Sequence, residues 1–250
     1  MESAGQKTTP HSLFISDLHL CDSRPGITTQ FLQFLQQQAI HAEALFILGD
    51  FFEYWAGDDD LAHHHTIIHA MRQLAGHGTR IYFMHGNRDF LIGDAFVQAA
   101  GATLLHDPTL IELYGQRILL SHGDALCTDD VAYQEFRLQV RSPAWQQAFL
   151  QQPLASRKAQ IEALRQRSEQ EKSGKQEDIM DVNAQAVAAL LREFDYPDVL
   201  IHGHTHRPAL HELNVDNHRI KRWVLGDWYE QGSCLVADQH GLRNHLLTAP

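Results

Sequence analysis

Seven side chains able to hold a hard metal ion follow short apolar runs. Asp17 and His19 come after Leu13–Ile15, Asp50 after Ala44–Leu48, Asn87 after Arg80–Met84, His122 at the end of Arg117–Ser121, and His204 and His206 after the run ending at Ile201. Carboxylate, amide and imidazole donors without a thiolate suit Mn, Fe or Zn in five- or six-coordinate settings. Seven donors are too many for one ion and fit two, with Asp50 shared between them. Paired ions roughly 3.5–4 Å apart stabilise both the attacking and the leaving oxygens of phosphoryl transfer and bring the pKa of a bridging water toward neutral. The expected chemistry is therefore hydrolysis of a phosphate ester or anhydride. Gly49, Gly86, Gly123 and Gly203 stand beside these donors, where the backbone must turn tightly or approach a ligand closely. In IHGHTHRP (201–208) His202 is the imidazole without a role, either a partner of the ligands or structural.

The elements that must position these residues alternate in type. Strands at Leu13–Ile15, Ala44–Leu48 and Arg80–Met84 are separated by helix-periodic stretches at Thr28–Ile40 and Leu61–Ala75, and a third such stretch, Gly93–Ala100, follows. Alternation of this kind predicts parallel strands with crossover helices, whose carboxyl ends form the site. Beyond residue 108 the pattern changes. Thr109–Leu113 and Arg117–Ser121 flank Tyr114–Gly115–Gln116 like a hairpin, and Arg219–Leu225, Ser233–Ala237 and Arg243–Leu247 read as further strands. The fold class is α/β (α+β): a two-layered mixed β-sandwich flanked by helices. Between Asp129 and Phe194 the chain reads as helical almost throughout, with a cap at Ser142–Pro143, breaks at Gln151–Pro153 and Ser173–Lys175, and a last helix over Asp178–Phe194.

A 250-residue chain with 44% apolar residues fills one domain, 1–250, with a helical insertion inside it. The polar stretch MESAGQKTTPHS and the lack of a long apolar run predict a chain kept in the cytoplasm. Cys21, Cys127 and Cys234 are scattered and predict reduced thiols, with Cys21 a small buried side chain. A formal charge of −11 weighs against nucleic acid as a partner. Arg137–Lys175 departs from the rest, with eight basic residues against three acidic ones, a net +5 that leaves −16 elsewhere. The His63–His64–His65 cluster beside Asp58–Asp59–Asp60 reads as a solvated helix start rather than a metal site.

The motifs DLH (17–19), GD (49–50), GNRD (86–89), HGD (122–124) and HGHTH (202–206) resemble the calcineurin-like metallophosphoesterase superfamily. FISDLHLC, LGDFFEYWAGDDD, HGNRDFLIG, SHGDALCTDD, IMDVN and IHGHTHRPA are similar, within it, to the UDP-2,3-diacylglucosamine pyrophosphohydrolases of lipid A biosynthesis. The resemblance implies two Mn2+ ions, attack of water on the α-phosphorus, and release of UMP and 2,3-diacylglucosamine 1-phosphate (lipid X). One ion would be held by Asp17, His19, Asp50 and His206, the other by Asp50, Asn87, His122 and His204. Asn87, Arg88 and Asp50 carry catalysis on this reading, and substrate contacts fall on Asn87, Arg88, Asp130, Ser168, Lys172, Lys175 and His204. Where most of the superfamily has histidine after asparagine, this chain has Arg88. A guanidinium cannot readily donate its proton but can clamp phosphate oxygens, which suits a pyrophosphate with its good leaving group. Asp89 and Asp124 are expected to orient His122 or Arg88.

The resemblance also implies that residues 137–176 form a helical lid over a lipid substrate, with Trp145, Phe149, Leu150, Leu154, Ile161 and Leu164 lining a groove for acyl chains. Periodicity alone fits a helical pair that packs its apolar stripe on the body and leaves its charges in water. A monomer, peripheral on the cytoplasmic side of the inner membrane, completes the expectation. The rival readings are a soluble metallophosphoesterase acting on a dinucleoside polyphosphate or phosphoprotein, and a non-catalytic scaffold.

Overall fold

In the computed structural model, residues 9–172 and 181–247 are described, the side chains of 166–172 excepted. One sheet has the order β11-β10-β1-β2-β3-β4, built from His11–Ile15 (β1), Ala44–Leu48 (β2), Arg80–Met84 (β3), Ala102–Leu105 (β4), Ser233–Asp238 (β10) and Gly241–Leu246 (β11). The other has the order β5-β6-β7-β9-β8, built from Thr109–Leu113 (β5), Gln116–Leu120 (β6), Val199–His202 (β7), Ala209–Val215 (β8) and His218–Val224 (β9). β1, β2, β3 and β4 run parallel, as do β6, β7 and β9.

Strand composition follows from coverage on both faces. Ala44–Leu48 is buried at every position, so it reads as a continuous apolar run rather than an alternation. Its even-numbered residues join Phe14, Met84, Ile118, Leu120, Val199 and Ile201 in the core between the sheets. Its odd-numbered residues face outward with Leu13, Ile15, Ile81 and Phe83, against the helices Pro25–Gln37 (α1), His65–Gly76 (α2) and Asp94–Ala100 (α3). A third, smaller core lies on the far face of the second sheet. There Leu119, Leu200 and Ile220 meet Val187 and Leu191 of Ala184–Glu193 (α7).

The helical segment comprises Val131–Val140 (α4), Pro143–Leu150 (α5) and Leu154–Lys172 (α6). Asp130 caps α4 by accepting from the Tyr133 N–H (3.2 Å), and Ser142 caps α5 with Pro143 as its first residue. The body, not solvent, receives the apolar stripe. Phe149 is buried in the core shared with α1–α3, and Trp145 and Ile161 pack against it. Those three are therefore spent on docking, whereas Leu150 and Leu164 stay exposed. No helix among the described residues is long and apolar enough to cross a membrane.

Several boundaries differ from expectation for local reasons. Leu61–Ala75 divides into a 3-10 segment, Asp58–His64, and a helix from His65. The last helix begins at Ala184 because Asn183 caps it, its Oδ1 accepting from the N–H groups of Gln185 and Ala186. Residues 178–180 lie outside the described region, as do Ser173–Lys175. Asp58–Asp59–Asp60 is not a solvated helix start. Asp58 accepts from the N–H groups of Gly93 and Phe96 and from the Trp55 indole, while Asp59 and Asp60 pair with Arg157 and Lys158 of α6. Tyr114–Gly115 alone makes the β5–β6 turn, both residues at positive φ as a two-residue hairpin requires. None of the three cysteines is in a disulfide, and Cys21 is partly exposed, accepting a hydrogen bond from Arg24.

Candidate metal centre

Five strands deliver the expected donors to one edge of the sandwich: β1 to Asp17 and His19, β2 to Asp50, β3 to Asn87, β6 to His122, and β7 to His204 and His206. The loops that follow are tightly constrained. Asp17, His19, Asp50, His204 and His206 all take positive φ, between 49° and 68°. Gly49, at φ 87°, leaves no room for a side chain, since a Cβ would stand 2.5 Å from the Gly86 nitrogen. At Gly203 a Cβ would collide with the Asp17 carboxylate. Backbone bonds lash the loops together, Asp17 N–H to Gly49 O (3.1 Å) and His19 N–H to Asp50 O (3.0 Å).

Two groups of convergent ligand atoms result, Asp17 with His19 and His206, and Asp50 with His122 and His204. Asp50 bridges them, with Oδ2 3.9 Å from His19 Nε2 and Oδ1 3.6 Å from His122 Nε2. Asn87 Oδ1 lies 3.0 Å from His122 Nε2, which adds the amide to the second group. All seven expected donors thus come together, in groups like those the resemblance implies.

The pattern of satisfied and unsatisfied atoms fits a pair of cations. Asp17 Oδ2 accepts from Ser16 Oγ (2.5 Å) and the His204 N–H (2.9 Å), yet buried Oδ1 has no hydrogen-bond donor and faces His206 Nε2 at 3.3 Å. His19 and His206 point their Nε2 atoms at each other, 3.2 Å apart. The outward nitrogens face acceptors. His122 Nδ1 donates to Leu48 O (2.8 Å), His206 Nδ1 lies 3.3 Å from Asp227, and His19 Nδ1 lies 3.8 Å from Glu53. The bond to Leu48 fixes the tautomer of His122, and Asp227 favours the same one at His206, leaving Nε2 as the inward lone pair, as ligating histidines require; His19 Nδ1 has no hydrogen-bond partner among the described residues. The inner atoms want a positive charge.

The pKa shifts report the same need. Burial raises Asp17, but the close approach of His206 and the fields of His122 and His19 outweigh it and hold the carboxyl well below the usual range. Burial, with Asp17 nearby, pushes Asp50 up. Burial lowers His122, but Asp50, Asp17 and Asp124 more than reverse this and carry it up to about 9. His204, buried beside His122, falls to about 3.

Other expected roles change. Asp89 orients neither His122 nor Arg88; fully buried, it accepts from the N–H groups of Gly86 (2.8 Å), Phe51 (2.8 Å) and Phe52 (3.4 Å), splicing two of the loops. Asp124 accepts from Tyr133 Oη and from Arg137 and Arg141, and the oriented nitrogen of His122 goes to Leu48 instead. Arg88 holds Asp50 Oδ1 through its backbone N–H (2.8 Å), and its guanidinium lies 3.5 Å from Glu53. Asp130 caps α4 at the rim. Lys175 lies outside the described residues, and so do the side chains of Ser168 and Lys172. His202 is structural. Arg222 donates to its Nε2 (3.0 Å), its Nδ1 donates to Gly203 O (3.0 Å), and burial lowers it to about 4.

Sequence reasoning missed Glu53, Asp227, Tyr229, Arg24 and Arg165. Tyr229 stacks on His19 (5.4 Å between centroids) and carries the Arg24 guanidinium over its ring at 4.4 Å. A signal for two of them was present. LGDFFE (48–53) returns as LGDWYE (225–230) after β9, a sixth strand whose carboxyl end reaches this edge.

Curated relatives cover nearly the whole chain. One from Aromatoleum aromaticum, bearing the name UDP-2,3-diacylglucosamine hydrolase, is 54% identical over 92% of this chain and 94% of its own. Proteins of the same name from Cellvibrio japonicus and Pseudomonas aeruginosa PAO1 are each 51% identical, over 93% and 92% of this chain and 97% and 96% of theirs. The model of the calcineurin-like phosphoesterase family matches residues 11–208, which span all five motifs. The chain belongs to the calcineurin-like phosphoesterase family.

Proposed function

We propose that this protein hydrolyses the pyrophosphate bond of UDP-2,3-diacylglucosamine by attack of water on the α-phosphorus, giving UMP and 2,3-diacylglucosamine 1-phosphate in lipid A biosynthesis. The observation that carries this is the pair of ligand groups joined through Asp50, read with relatives of that name at about half identity over almost their full lengths. Asp17, His19, Asp50 and His206 would hold one Mn2+, and Asp50, Asn87, His122 and His204 the other. When bound, the ions supply Lewis acidity and a nucleophile from water near neutral pH. The chain's own residues do the rest. Leu48 O and Asp227 keep His122 and His206 in the ligating tautomer, and the Arg88 N–H holds Asp50 in its bridging position. Arg88 and Asn87 line the substrate side, where a guanidinium stabilises charge on the departing phosphate without having to give up a proton. Asp130, Ser168, Lys172, Lys175 and His204 are proposed as further substrate contacts.

Residues 137–176 act as a lid in this proposal. Leu138, Leu150 and Leu164 within it, and Val131 and Phe136 just before it, are exposed, which supports an acyl-facing role, since exposed apolar side chains are available to a lipid or ligand. A monomer attached peripherally to the cytoplasmic face of the inner membrane follows. The test is direct: purified protein, Mn2+ and UDP-2,3-diacylglucosamine, with product identification. UMP with the sugar 1-phosphate is the expected result. UDP as the nucleotide product, or turnover only of dinucleoside polyphosphates, would replace this reading with the rival one.

A further inference from the structure

Glu53 belongs to neither ligand group, yet it is 5% exposed and three residues past Asp50. Four side chains from separate parts of the chain converge on its carboxylate. Arg24, before α1, hydrogen-bonds Oε2. Arg88 Nη1, from the loop after β3, lies 3.5 Å from Oε1. Arg165 Nη2, from α6, lies 3.2 Å from that same oxygen. His19 Nδ1 lies 3.8 Å from Oε2.

A buried carboxylate needs one well-placed cation to be tolerated; three permanently charged guanidinium groups exceed that need. Arg24 serves as the structural partner, because it also donates to His19 O (3.1 Å) and packs over Tyr229. Arg88 and Arg165 exceed that need, and both reach Glu53 Oε1, one from the loop after β3 and one from α6, where Arg165 also pairs with Glu162 (3.1 Å) through its other terminal nitrogen. Without that shared carboxylate oxygen, two like charges would repel each other with nothing to hold them together. With it, two donor forks are held at one carboxylate oxygen, an arrangement suited to an anion carrying several negative oxygens.

We propose that Glu53 is a positioning residue that holds Arg88 and Arg165 together as a preformed clamp for the diphosphate of the substrate. This rests on the diphosphatase reading above. Glu53 touches neither substrate nor ion and acts through the arginines. The competing role, through His19 Nδ1, would make it a support for a metal ligand, and the two roles leave different signatures.

Glu53→Gln keeps the shape and removes the charge. The expected result is a KM for UDP-2,3-diacylglucosamine raised roughly 10-fold or more, as for loss of charge-assisted hydrogen bonds, with kcat, melting temperature and metal content close to wild type. In an Arg165→Ala background the same change should add less than about threefold, because the clamp is already broken. Glu53→Asp, one methylene shorter with the charge retained, should fall between. An unchanged KM, a full additive loss on top of Arg165→Ala, or reduced metal content at unchanged KM would each overturn the proposal. Should Glu53→Gln fail to fold, Arg88→Ala and Arg165→Ala supply the cycle: independent, additive effects on KM would overturn it. Bis(p-nitrophenyl) phosphate separates this from the substrate reading. If wild type turns over only that diester, the diphosphatase reading fails, and the clamp is judged by inhibition with inorganic phosphate, whose Ki must rise about 10-fold in Glu53→Gln.

Discussion

The strand-end centre and the helical segment beside it use the same charged side chains and differ in how those charges are balanced. At the centre, carboxylates and imidazoles turn their outer atoms to the protein and leave their inner atoms facing one another, Asp17 Oδ1 without a donor and two Nε2 atoms in opposition. In the helical segment the described basic side chains are matched: Arg137 and Arg141 to Asp124, Arg157 to Asp59, Lys158 to Asp60, Arg165 to Glu53 and Glu162. A site is where the fold leaves charge unbalanced for something to arrive. The described basic side chains of the helical segment are therefore largely docking charge, held against carboxylates rather than displayed to an anionic surface.

The strongest attack on this contrast is Asp50→Ala. Removing the shared carboxylate should lower kcat by roughly a thousandfold or more and take bound metal below two ions per chain by elemental analysis, with circular dichroism unchanged. A variant that keeps both ions would show that the groups are not joined through Asp50. Arg157→Ala should do the reverse. Its guanidinium is buried and hydrogen-bonds Ala56 O, Gln152 O and Asp59, so its loss should cost about 2–3 kcal/mol in chemical denaturation while metal content stays at wild type. Loss of metal here would mean that centre and segment are one unit.

Asp227→Asn probes the rim of the centre. Weakening the partner of His206 Nδ1 should reduce affinity for one ion roughly 10- to 100-fold, with activity restored by excess Mn2+; a change in kcat at saturating metal would place Asp227 in the chemistry instead. The smallest effect concerns pH. His64, packed on Trp55 and Phe52, is lowered to about 4 by burial. The folded state thus binds its proton less readily than the unfolded chain, so this contribution is present above pH 6.5 and is lost as pH falls toward 4. At pH 5 the loss is about 1–2 kcal/mol, and it should vanish in His64→Phe, leaving a flatter stability profile between pH 6.5 and 4.

The parts legible in the sequence are those with a short-range signal. Strands buried on both faces announce themselves as apolar runs, and Ala44–Leu48 and Arg80–Met84 are found at their expected boundaries. The seven donors are legible because each follows such a run at once. Ala102–Leu105 and Ala209–Val215 were missed because they are edge strands, partly exposed and weakly patterned. Pairings across the fold carry no local mark. Nothing at Asp59 points to Arg157, 98 residues away, nor at Glu53 to Arg165. Asp227 was legible in principle, since LGDWYE repeats LGDFFE, but a carboxylate that orients a ligand looks the same in sequence as one that is a ligand.

The left-handed backbone at Asp17, His19, Asp50, His204 and His206 also bears on how the molecule tolerates change. Each such residue costs roughly 1 kcal/mol or more relative to ordinary geometry, and glycine, the usual remedy, would delete the donor. The cost must be carried by the two-sheet core, which leaves less reserve against substitutions at Phe14, Phe46 or Ile201 than the size of the sandwich suggests. Adaptation in this chain is thus channelled away from its interior, toward the edge strands and the outer faces of its helices.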